Sequence, residues 1–315
     1  MLDICFYNFF HIGDVYFSSF FINHICKLTP DINFLYYFIN GDIFFENTPN
    51  IQRINNPIED RYANHLINGY PPECLLNTDV LRFLKINNME KEGYKVLKFN
   101  NKDILFINTW CWSTGLKIDD FNIPQAIHAF DKLIDKINKE FNLNINFKCN
   151  NCAESIKDIC LSYKSNKKFN MDDKSLEDTI FVFNYNPRSV NYDMRLLNSY
   201  ILHVSQTNKV ILSTHDKVLE NMENISFFDT HYNIYPTPNC ENLIDIWEIA
   251  SKCKHVILQP CGAGWIFFQK LNMLKPNQLY MFNENSYRDK LNDNINLLMG
   301  QNINLISSIN VNYAP

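Results

Sequence analysis

Apolar runs of strand length alternate with helix-like segments along this chain, and no other feature of the sequence limits its fold more. The first apolar run, Leu2 to Tyr7, leads into a polar break at His11-Ile12-Gly13-Asp14. An apolar segment of helical length, Val15 to Leu28, comes next, and a helix is expected from Asp14 to Lys27. A buried strand that runs directly into a helix is typical of βαβ units, which form parallel sheets. We therefore expect an α/β fold.

The first half of the chain continues this alternation. Strand-like segments are expected at residues 33–39, 94–99 and 103–110, with Asn100-Asn101 as the turn between the last two. A strong amphipathic helix is expected from Pro124 to Phe141. The polar, proline-containing residues 46–78 are expected to form a loop with short helices.

The second half repeats the pattern. Strand-like segments are expected at residues 178–184, 209–213, 225–228, 254–259 and 278–282, with helices at 193–207 and 239–252. A chain of 315 residues exceeds the size at which a single core usually stops growing. We therefore predict two Rossmann-like domains that face each other across a cleft, an N-terminal one at residues 1–165 and a C-terminal one at 166–315.

Charge and hydropathy exclude several classes of protein. The net charge is −5, and no cluster of lysines and arginines stands out apart from Lys164 to Lys168, which argues against a nucleic-acid-binding surface. No charge-free apolar window reaches the roughly 18 residues of a membrane-spanning helix. The apolar first 26 residues lack a basic start and carry Asp3 and Asp14, so we interpret them as strand and helix and not as a targeting segment. Scattered cysteines within apolar runs suit reduced thiols, and we expect a cytoplasmic protein.

The first candidate site is His11-Ile12-Gly13-Asp14. In open α/β sheets, ligands bind at the carboxyl edge, where the first strand meets this segment. Gly13 permits close backbone approach, and we predict that it takes part in binding the donor phosphates. Asp14 falls near a helix N-terminus, where the helix dipole favours a carboxylate. We predict that His11 and Asp14 are catalytic, with Asp14 as a general base. The alternative is that Asp14 only caps the helix and His11 is a loop residue.

The second candidate is the turn Cys261-Gly262-Ala263-Gly264, which joins a buried strand to a helix. This geometry directs backbone N–H groups at an anion, so the turn is predicted to bind a phosphate. A dinucleotide-binding Gly-x-Gly-x-x-Gly motif is absent, because Phe267 occupies the third glycine position. The alternative is a tight strand–helix turn without a ligand.

The third candidate is the polar loop after the strand at 178–184. Asn186, Arg188 and Ser189 lie in it, and Arg188 could hold a pyrophosphate bidentately. Glu241, before a helix, could accept hydrogen bonds from a ribose. The alternatives are a surface arginine and a solvated glutamate.

No metal site is predicted. Cys149, Cys152 and Cys160 have metal-like spacing, but a structural zinc needs four ligands and no second Cys-x-x-Cys is present. An Asp-x-Asp motif is also absent.

Three features together resemble the GT-B glycosyltransferases: the Gly13-Asp14 pair after the first strand, Ser18-Ser19 in the helical turn that follows, and the late strand that runs into a glycine turn. The resemblance is greatest to the heptosyltransferase-like family, glycosyltransferase family 9, in which a Gly-Asp pair supplies the catalytic aspartate. It implies that the C-terminal domain holds the nucleotide-sugar, partly through residues 184–189. Pro260-Cys261-Gly262 would match the family's Asp/Ser-Thr/Ser-Gly loop, with Cys261 in place of the acid or hydroxyl and Arg188 in place of a lysine.

The resemblance implies an inverting, metal-independent transfer of a sugar from a nucleotide-sugar to a hydroxyl acceptor, with the nucleotide-sugar as co-substrate and no cofactor. The acceptor would be a saccharide or a glycolipid, and a glycolipid would bring the protein to a membrane surface. Two other functions remain open on the same fold. One is a sugar-nucleotide epimerase, and the other is a non-catalytic protein that binds a nucleotide-sugar.

Overall fold

The structure of the chain is a computed structural model. The described residues are 2–8, 12–38, 44–54, 83–84, 86–89, 92–109, 123–147, 158–159, 176–184, 194–214, 233–237, 243–258, 278–282, 289, 292–293, 296 and 306–309. The chain divides into two compact units, Met1–Ile159 and Cys160–Pro315. The domain boundary predicted at residues 165 and 166 lies outside the described residues.

The first unit is built on a five-stranded sheet. Its elements are β1 (Asp3–Tyr7), α1 (Ile12–Leu28), β2 (Phe34–Tyr37), β3 (Ile51–Arg53), β4 (Tyr94–Phe99), β5 (Lys102–Asn108) and α2 (Ile123–Phe141). The strand order is β3-β2-β1-β5-β4. The pairs β1–β2, β1–β5 and β2–β3 are parallel, and β4 pairs with β5 in the antiparallel sense.

Strand β1 lies at the centre of this sheet because its side chains are apolar on both faces. Residues 4–7 are all buried. The strand pairs with β2 on one side and with β5 on the other, so that Phe6 is opposite both Tyr36 and Ile107. An apolar run of this kind, without alternation, is what a central parallel strand requires. The predicted first strand is therefore confirmed.

Helix α1 is buried on all sides. Residues 15–26 are buried without interruption, which matches the uniformly apolar sequence of this segment. The Phe21 ring stacks on Phe130 of α2, with ring centroids 4.6 Å apart. Phe147, in the segment that follows α2, contacts the His24 ring of α1 at a centroid distance of 5.4 Å. The helix begins two residues before the predicted start, so Gly13 and Asp14 both lie in its first turn.

Helix α2 buries the face that the sequence predicts. The five predicted core positions, all buried, are Ile127, Phe130, Leu133, Ile134 and Ile137. The helix ends at Phe141, and the next residue, Asn142, has a φ of 50°. Asparagine is among the residues that adopt this left-handed conformation at helix ends most readily.

The β4–β5 hairpin turns at Asn100 and Asn101, as predicted. Their φ angles are 50° and 63°. Two successive positive φ angles are typical of the two-residue turns that match the twist of antiparallel strands, and asparagine tolerates them better than most residues.

The second unit is built on a six-stranded sheet. Its elements are β6 (Thr179–Asn184), α3 (Met194–Ser205), β7 (Lys209–Thr214), β8 (Ile234–Pro236), α4 (Leu243–Ala250), β9 (His255–Leu258), β10 (Leu279–Phe282) and β11 (Ile306–Ile309). The strand order is β11-β10-β9-β6-β7-β8, and every pair is parallel. This is the strand order of a doubly wound, Rossmann-like sheet. The two sheets confirm the predicted α/β class.

Three short strands were missed by the sequence analysis. β3 lies within the expected loop at 46–78, and β8 and β11 carry no alternating pattern long enough to be recognised. Strand β10, expected to be the last, is followed by β11. Each missed strand lies at an edge of its sheet. A proline is tolerated in an edge strand such as β8, which contains Pro236, because one side of the strand needs no ladder hydrogen bond. The strand predicted at residues 225–228 lies outside the described residues.

The described helices include none that is both long and apolar enough to cross a membrane. Three of the ten cysteines, Cys5, Cys26 and Cys253, are described, and each is a buried free thiol. Burial raises the pKa of both Cys26 and Cys253 to about 12. The prediction that these thiols pack as small apolar groups is confirmed.

The buried thiols should resist alkylation in the folded protein. With a pKa about three units above its usual value, each thiol is a thiolate to only about one part in ten thousand at pH 8. Treatment with iodoacetamide at pH 8, followed by peptide mass spectrometry, should leave Cys26 and Cys253 unmodified in the native protein and modify both in urea. Equal labelling in the two conditions would contradict the burial of these residues.

Candidate functional site

The sheet of the first unit has a topological switch point at β1. From β1 the chain moves outward through β2 to β3, and it later returns on the other side of β1 as β5. Because β1 and β5 are parallel, their carboxyl ends lie at the same edge of the sheet. Ligands in open α/β sheets bind at such a point. The residues that follow β1 and β5 are therefore the candidate site of this unit.

A buried polar network joins these two strand ends to α1. Asn8, directly after β1, donates from Nδ2 to Ser18 Oγ on α1 at 3.2 Å. The Ser18 hydroxyl donates to the carbonyl of Thr109, directly after β5, at 3.3 Å. All three side chains are at most 1% exposed. We refer to these residues as the Asn8–Ser18–Thr109 network.

Main-chain hydrogen bonds extend the sheet beyond the ends of its strands. The Thr109 N–H donates to the Tyr7 carbonyl at 3.0 Å, and the Thr109 hydroxyl donates to the same carbonyl at 3.1 Å. The Asn8 N–H donates to the Tyr37 carbonyl of β2 at 3.3 Å. The backbone leaving β1 is thus held on both sides up to Asn8, the last described residue before α1.

The opposite face of the sheet is held by a second group of buried polar side chains. The Tyr7 hydroxyl donates to the Met89 carbonyl at 2.7 Å and lies 3.3 Å from the Glu92 carbonyl. Asn108 Nδ2 donates to the same Met89 carbonyl at 3.3 Å. Burial raises the pKa of Tyr7 far above its usual value, so the phenol remains a donor at every physiological pH. These bonds fix the segment that leads into β4.

Gly13 and Asp14 lie in the first turn of α1, at the carboxyl edge of the sheet. Asp14 is four residues before Ser18, and positions four apart share one face of a helix. The Asp14 position is therefore on the face of α1 that Ser18 presents to the ends of β1 and β5. The side chains of Ile12, Gly13 and Asp14, and all of His11, lie outside the described residues.

The second unit has its own switch point, between β6 and β9. These strands are parallel neighbours, with Phe181 opposite Val256 and Val182 opposite Ile257. The chain proceeds from β6 to β7 and β8 on one side, and from β9 to β10 and β11 on the other. The order therefore reverses at the carboxyl ends of β6 and β9, which is where a doubly wound sheet binds a nucleotide.

Both predicted phosphate-binding loops begin at this switch point. The loop with Asn186, Arg188 and Ser189 follows β6, and the loop with Cys261-Gly262-Ala263-Gly264 follows β9. Glu241 precedes α4, the helix between β8 and β9. All of these residues lie outside the described residues, so their side-chain positions stay predictions. The strand order brings together the two points from which the loops start.

Chemically, the switch point of the first unit combines strand ends with the start of α1. The first turn of a helix carries unpaired N–H groups and a partial positive charge, which stabilise an anion or a carboxylate. Among the described residues, no group of three or more His, Cys, Asp or Glu side chains is arranged to hold a metal ion.

The residues that support the start of α1 were not predicted as site residues, although Ser18 is part of the motif on which the family resemblance rests. Asn8 and Ser18 are ten residues apart, but Thr109 is 91 residues beyond Ser18. One signal could have found part of this network. Ser18 is a polar residue within an apolar helix that is buried on all sides, and a buried hydroxyl needs a hydrogen-bond partner.

Several solved structures are similar to this chain, and two of them are described below. No family model matches the sequence, and no curated protein sequence matches it. One similar structure is a glycosyl transferase family 9 protein from Veillonella parvula, at 11% identity and a TM-score of 0.44, with 100% of this chain and 89% of that chain covered. Another is the E. coli heptosyltransferase WaaC with ADP, at 8% identity and a TM-score of 0.41, with 98% and 93% covered. The first bears the name of the family that the sequence motifs resemble.

The Tyr7 hydroxyl should contribute measurably to stability. Tyr7→Phe removes a buried donor and leaves the Met89 carbonyl with one bond fewer, so we expect a loss of about 1–2 kcal/mol in the free energy of unfolding. The matched control is Tyr94→Phe, because the Tyr94 hydroxyl bonds Glu140 at an exposed position. Its loss should be within about 0.5 kcal/mol. Urea unfolding measures both, and equal losses would contradict the role of Tyr7.

Proposed function

We propose that this chain is an inverting, metal-independent glycosyltransferase. It moves a sugar from a nucleotide-sugar donor to a hydroxyl group of an acceptor, which is a glycan or a lipid-linked saccharide. The second unit binds the donor, and the first unit supplies the base that activates the acceptor.

The observation that carries the proposal is the origin of two loops at one switch point. The arginine-bearing loop leaves β6, the glycine turn leaves β9, and these strands are paired neighbours at the centre of the second sheet. A nucleotide diphosphate bound there would meet cationic and main-chain donors from both loops. Each loop was predicted from its own strand and its own residues, without reference to the other.

On the donor side, each predicted residue has a distinct role. Arg188 pairs with the diphosphate through its planar guanidinium, and Asn186 and Ser189 donate further hydrogen bonds to it. The main-chain N–H groups of residues 261–264 bind the second phosphate at the start of a helix. Glu241 accepts hydrogen bonds from the ribose hydroxyls.

On the acceptor side, Asp14 is the general base. It lies in the first turn of α1, on the face that Ser18 presents to the ends of β1 and β5. His11 lies just before this turn and orients the acceptor, and Gly13 allows the substrate to approach the backbone closely. A carboxylate at a helix start is stabilised in its charged form, which is the form that a base requires.

The reaction is a single in-line displacement. The acceptor oxygen attacks the anomeric carbon as its proton passes to Asp14, and the bond from that carbon to the diphosphate oxygen breaks. The configuration at the anomeric carbon is thereby inverted. The charge that develops on the leaving diphosphate is stabilised by Arg188 and by the N–H groups of the glycine turn. Fixed dipoles and a cation supply this stabilisation, so the step needs no metal.

The base should be the largest single contributor to turnover. Asp14→Asn should lower kcat about 10²–10⁴-fold, because the neutral amide cannot accept the acceptor proton, and should leave the donor KM unchanged. A panel of nucleotide-sugars with saccharide acceptors, assayed by release of the nucleoside diphosphate, measures both constants. The matched control is Asp31→Asn, an exposed aspartate beyond the far end of α1, which should behave as wild type.

Two outcomes would contradict this assignment. If Asp14→Asn retains the wild-type kcat, Asp14 is not the base. If the wild-type protein binds nucleotide-sugars and turns none of them over with any acceptor, it is a binding protein and not a transferase.

The donor loop is tested separately by binding. Arg188→Ala should weaken the binding of a nucleoside diphosphate about 10- to 100-fold, since it removes a charged hydrogen-bonding partner of the phosphates. The affinity for the nucleoside without phosphates should change little. Lys98→Ala, which removes an exposed charge on β4, is the control and should bind as wild type. Titration calorimetry gives the three affinities, and an equal loss for both ligands would place Arg188 away from the diphosphate.

A further inference from the structure

The Asn8–Ser18–Thr109 network joins three elements at one point. Ser18 Oγ accepts from Asn8 at the end of β1 and donates to the Thr109 carbonyl at the end of β5. One hydroxyl on α1 is therefore tied to both strands that border the switch point of the first sheet. Moving α1 along its axis, or rotating it, would break at least one of these bonds.

Apolar packing alone would already keep α1 against the sheet. Ser18 is flanked by the fully buried rings of Phe17, Phe20 and Phe21, and Phe21 stacks on α2. Apolar contacts are not directional, so they leave the rotation and register of a helix less sharply defined than hydrogen bonds do. A buried hydrogen bond contributes less to the free energy of folding than its strength in isolation, because both groups lose their hydrogen bonds to water when the chain folds. The network thus fixes the rotation and register of α1 at a place where apolar packing is already dense.

The network acts on the helical face that bears Asp14. Asp14 precedes Ser18 by four residues, so it lies about one turn, or roughly 6 Å, nearer the start of the same helix on the same face. The first turn of α1 has no preceding helical turn to hold it, and its position is set by the contacts of the next turn and by the chain leaving β1. Asn8 and Ser18 supply one tie on each side of that first turn.

We propose that Asn8 and Ser18 are positioning residues for Asp14. They hold the first turn of α1 in register with the carboxyl ends of β1 and β5, so that the base meets the acceptor hydroxyl in a productive geometry. The inference rests on the proposed function for its catalytic part, whereas the ordering of the first turn is a property of the fold alone. Displacement of a catalytic group by about 1 Å is enough to lower a rate on the order of 10²-fold.

The kinetic test is Ser18→Ala, with Ser19→Ala as the matched control. Both hydroxyls are buried, but the Ser19 hydroxyl donates to the Tyr16 carbonyl of its own helix, at 2.6 Å. Ser18→Ala should lower kcat on the order of 10- to 100-fold with the donor KM unchanged, and Ser19→Ala should leave both constants as in wild type. Asn8→Ala should reproduce the Ser18→Ala result from the other end of the hydrogen bond. Equal effects of the two serine variants would overturn the proposal.

A double-mutant cycle separates positioning from a general structural effect. In the Asp14→Asn background, Ser18→Ala should cause no further fall in kcat, because the group that Ser18 positions is already absent. If Ser18→Ala lowers kcat by the same factor with Asp14 and with Asn at this position, then Ser18 acts independently of the base and the proposal is wrong.

Hydrogen exchange tests the ordering of the first turn without relying on activity. Ser18→Ala and Asn8→Ala should accelerate amide exchange in the peptide that covers the first turns of α1 and leave the peptides of β4 and α2 unchanged, whereas Ser19→Ala should leave all of them unchanged. A wild-type protein that is inactive with every donor would overturn the proposed function. The exchange rates would still show whether Asn8 and Ser18 order the first turn of α1. If the protein is active and both variants exchange at the wild-type rate, Asn8 and Ser18 do not order the first turn, and the proposed function is unaffected.

Discussion

The first unit depends on the pairing of β1 with a parallel neighbour on each side. A strand buried on both faces has no access to water, so each of its main-chain groups must find a partner within the sheet. This requirement continues past the last residue of the strand. The Tyr7 carbonyl and the Asn8 N–H are satisfied by Thr109 and by β2, which keeps the strand ends level at one edge. The position of these strand ends in turn determines where α1 begins.

Both sheets follow the same topological principle, and the proposed function assigns different chemistry to each. In each, the chain winds outward from a central strand and then returns to the other side of it, so that two loops start from adjacent strands. In the first unit, buried amide and hydroxyl groups lie at the switch point. In the second unit, the loops that start from the switch point carry an arginine and two glycines. A carboxylate needs rigid support if it is to act as a base, whereas a diphosphate needs donors that surround it.

The sequence predicted the elements whose residue pattern matches the environment that they occupy in the fold. β1 is uniformly apolar, α2 has one apolar face behind Pro124, and Asn100-Asn101 suits a tight turn, and each of these was found. β3, β8 and β11 were missed because three or four residues cannot show a period, and their strand conformation comes from the neighbour to which they pair. The start of α1 was placed late because Gly13 was taken to break the chain, although it lies within the first helical turn.

The same limit applies to the site. The glycine turn and the arginine loop were recognised by composition, but the adjacency of β6 and β9 depends on pairing across about 75 residues of sequence. The bond from Ser18 to the Thr109 carbonyl spans a similar separation. Contacts of this length are decided by the topology of the sheet, which residue types alone do not encode.

Strand β4 gives the first sheet an edge that resists self-association. It is the antiparallel edge strand of the described residues, and its two lysines, Lys95 and Lys98, are exposed, one on each face of the sheet, while the residues between them are partly covered. An unpaired strand edge is a template onto which another copy can add a strand, and lysines on that edge raise the cost of such an encounter through charge repulsion and desolvation. An aromatic-rich sheet of this kind is thereby protected from growing into an aggregate along β4.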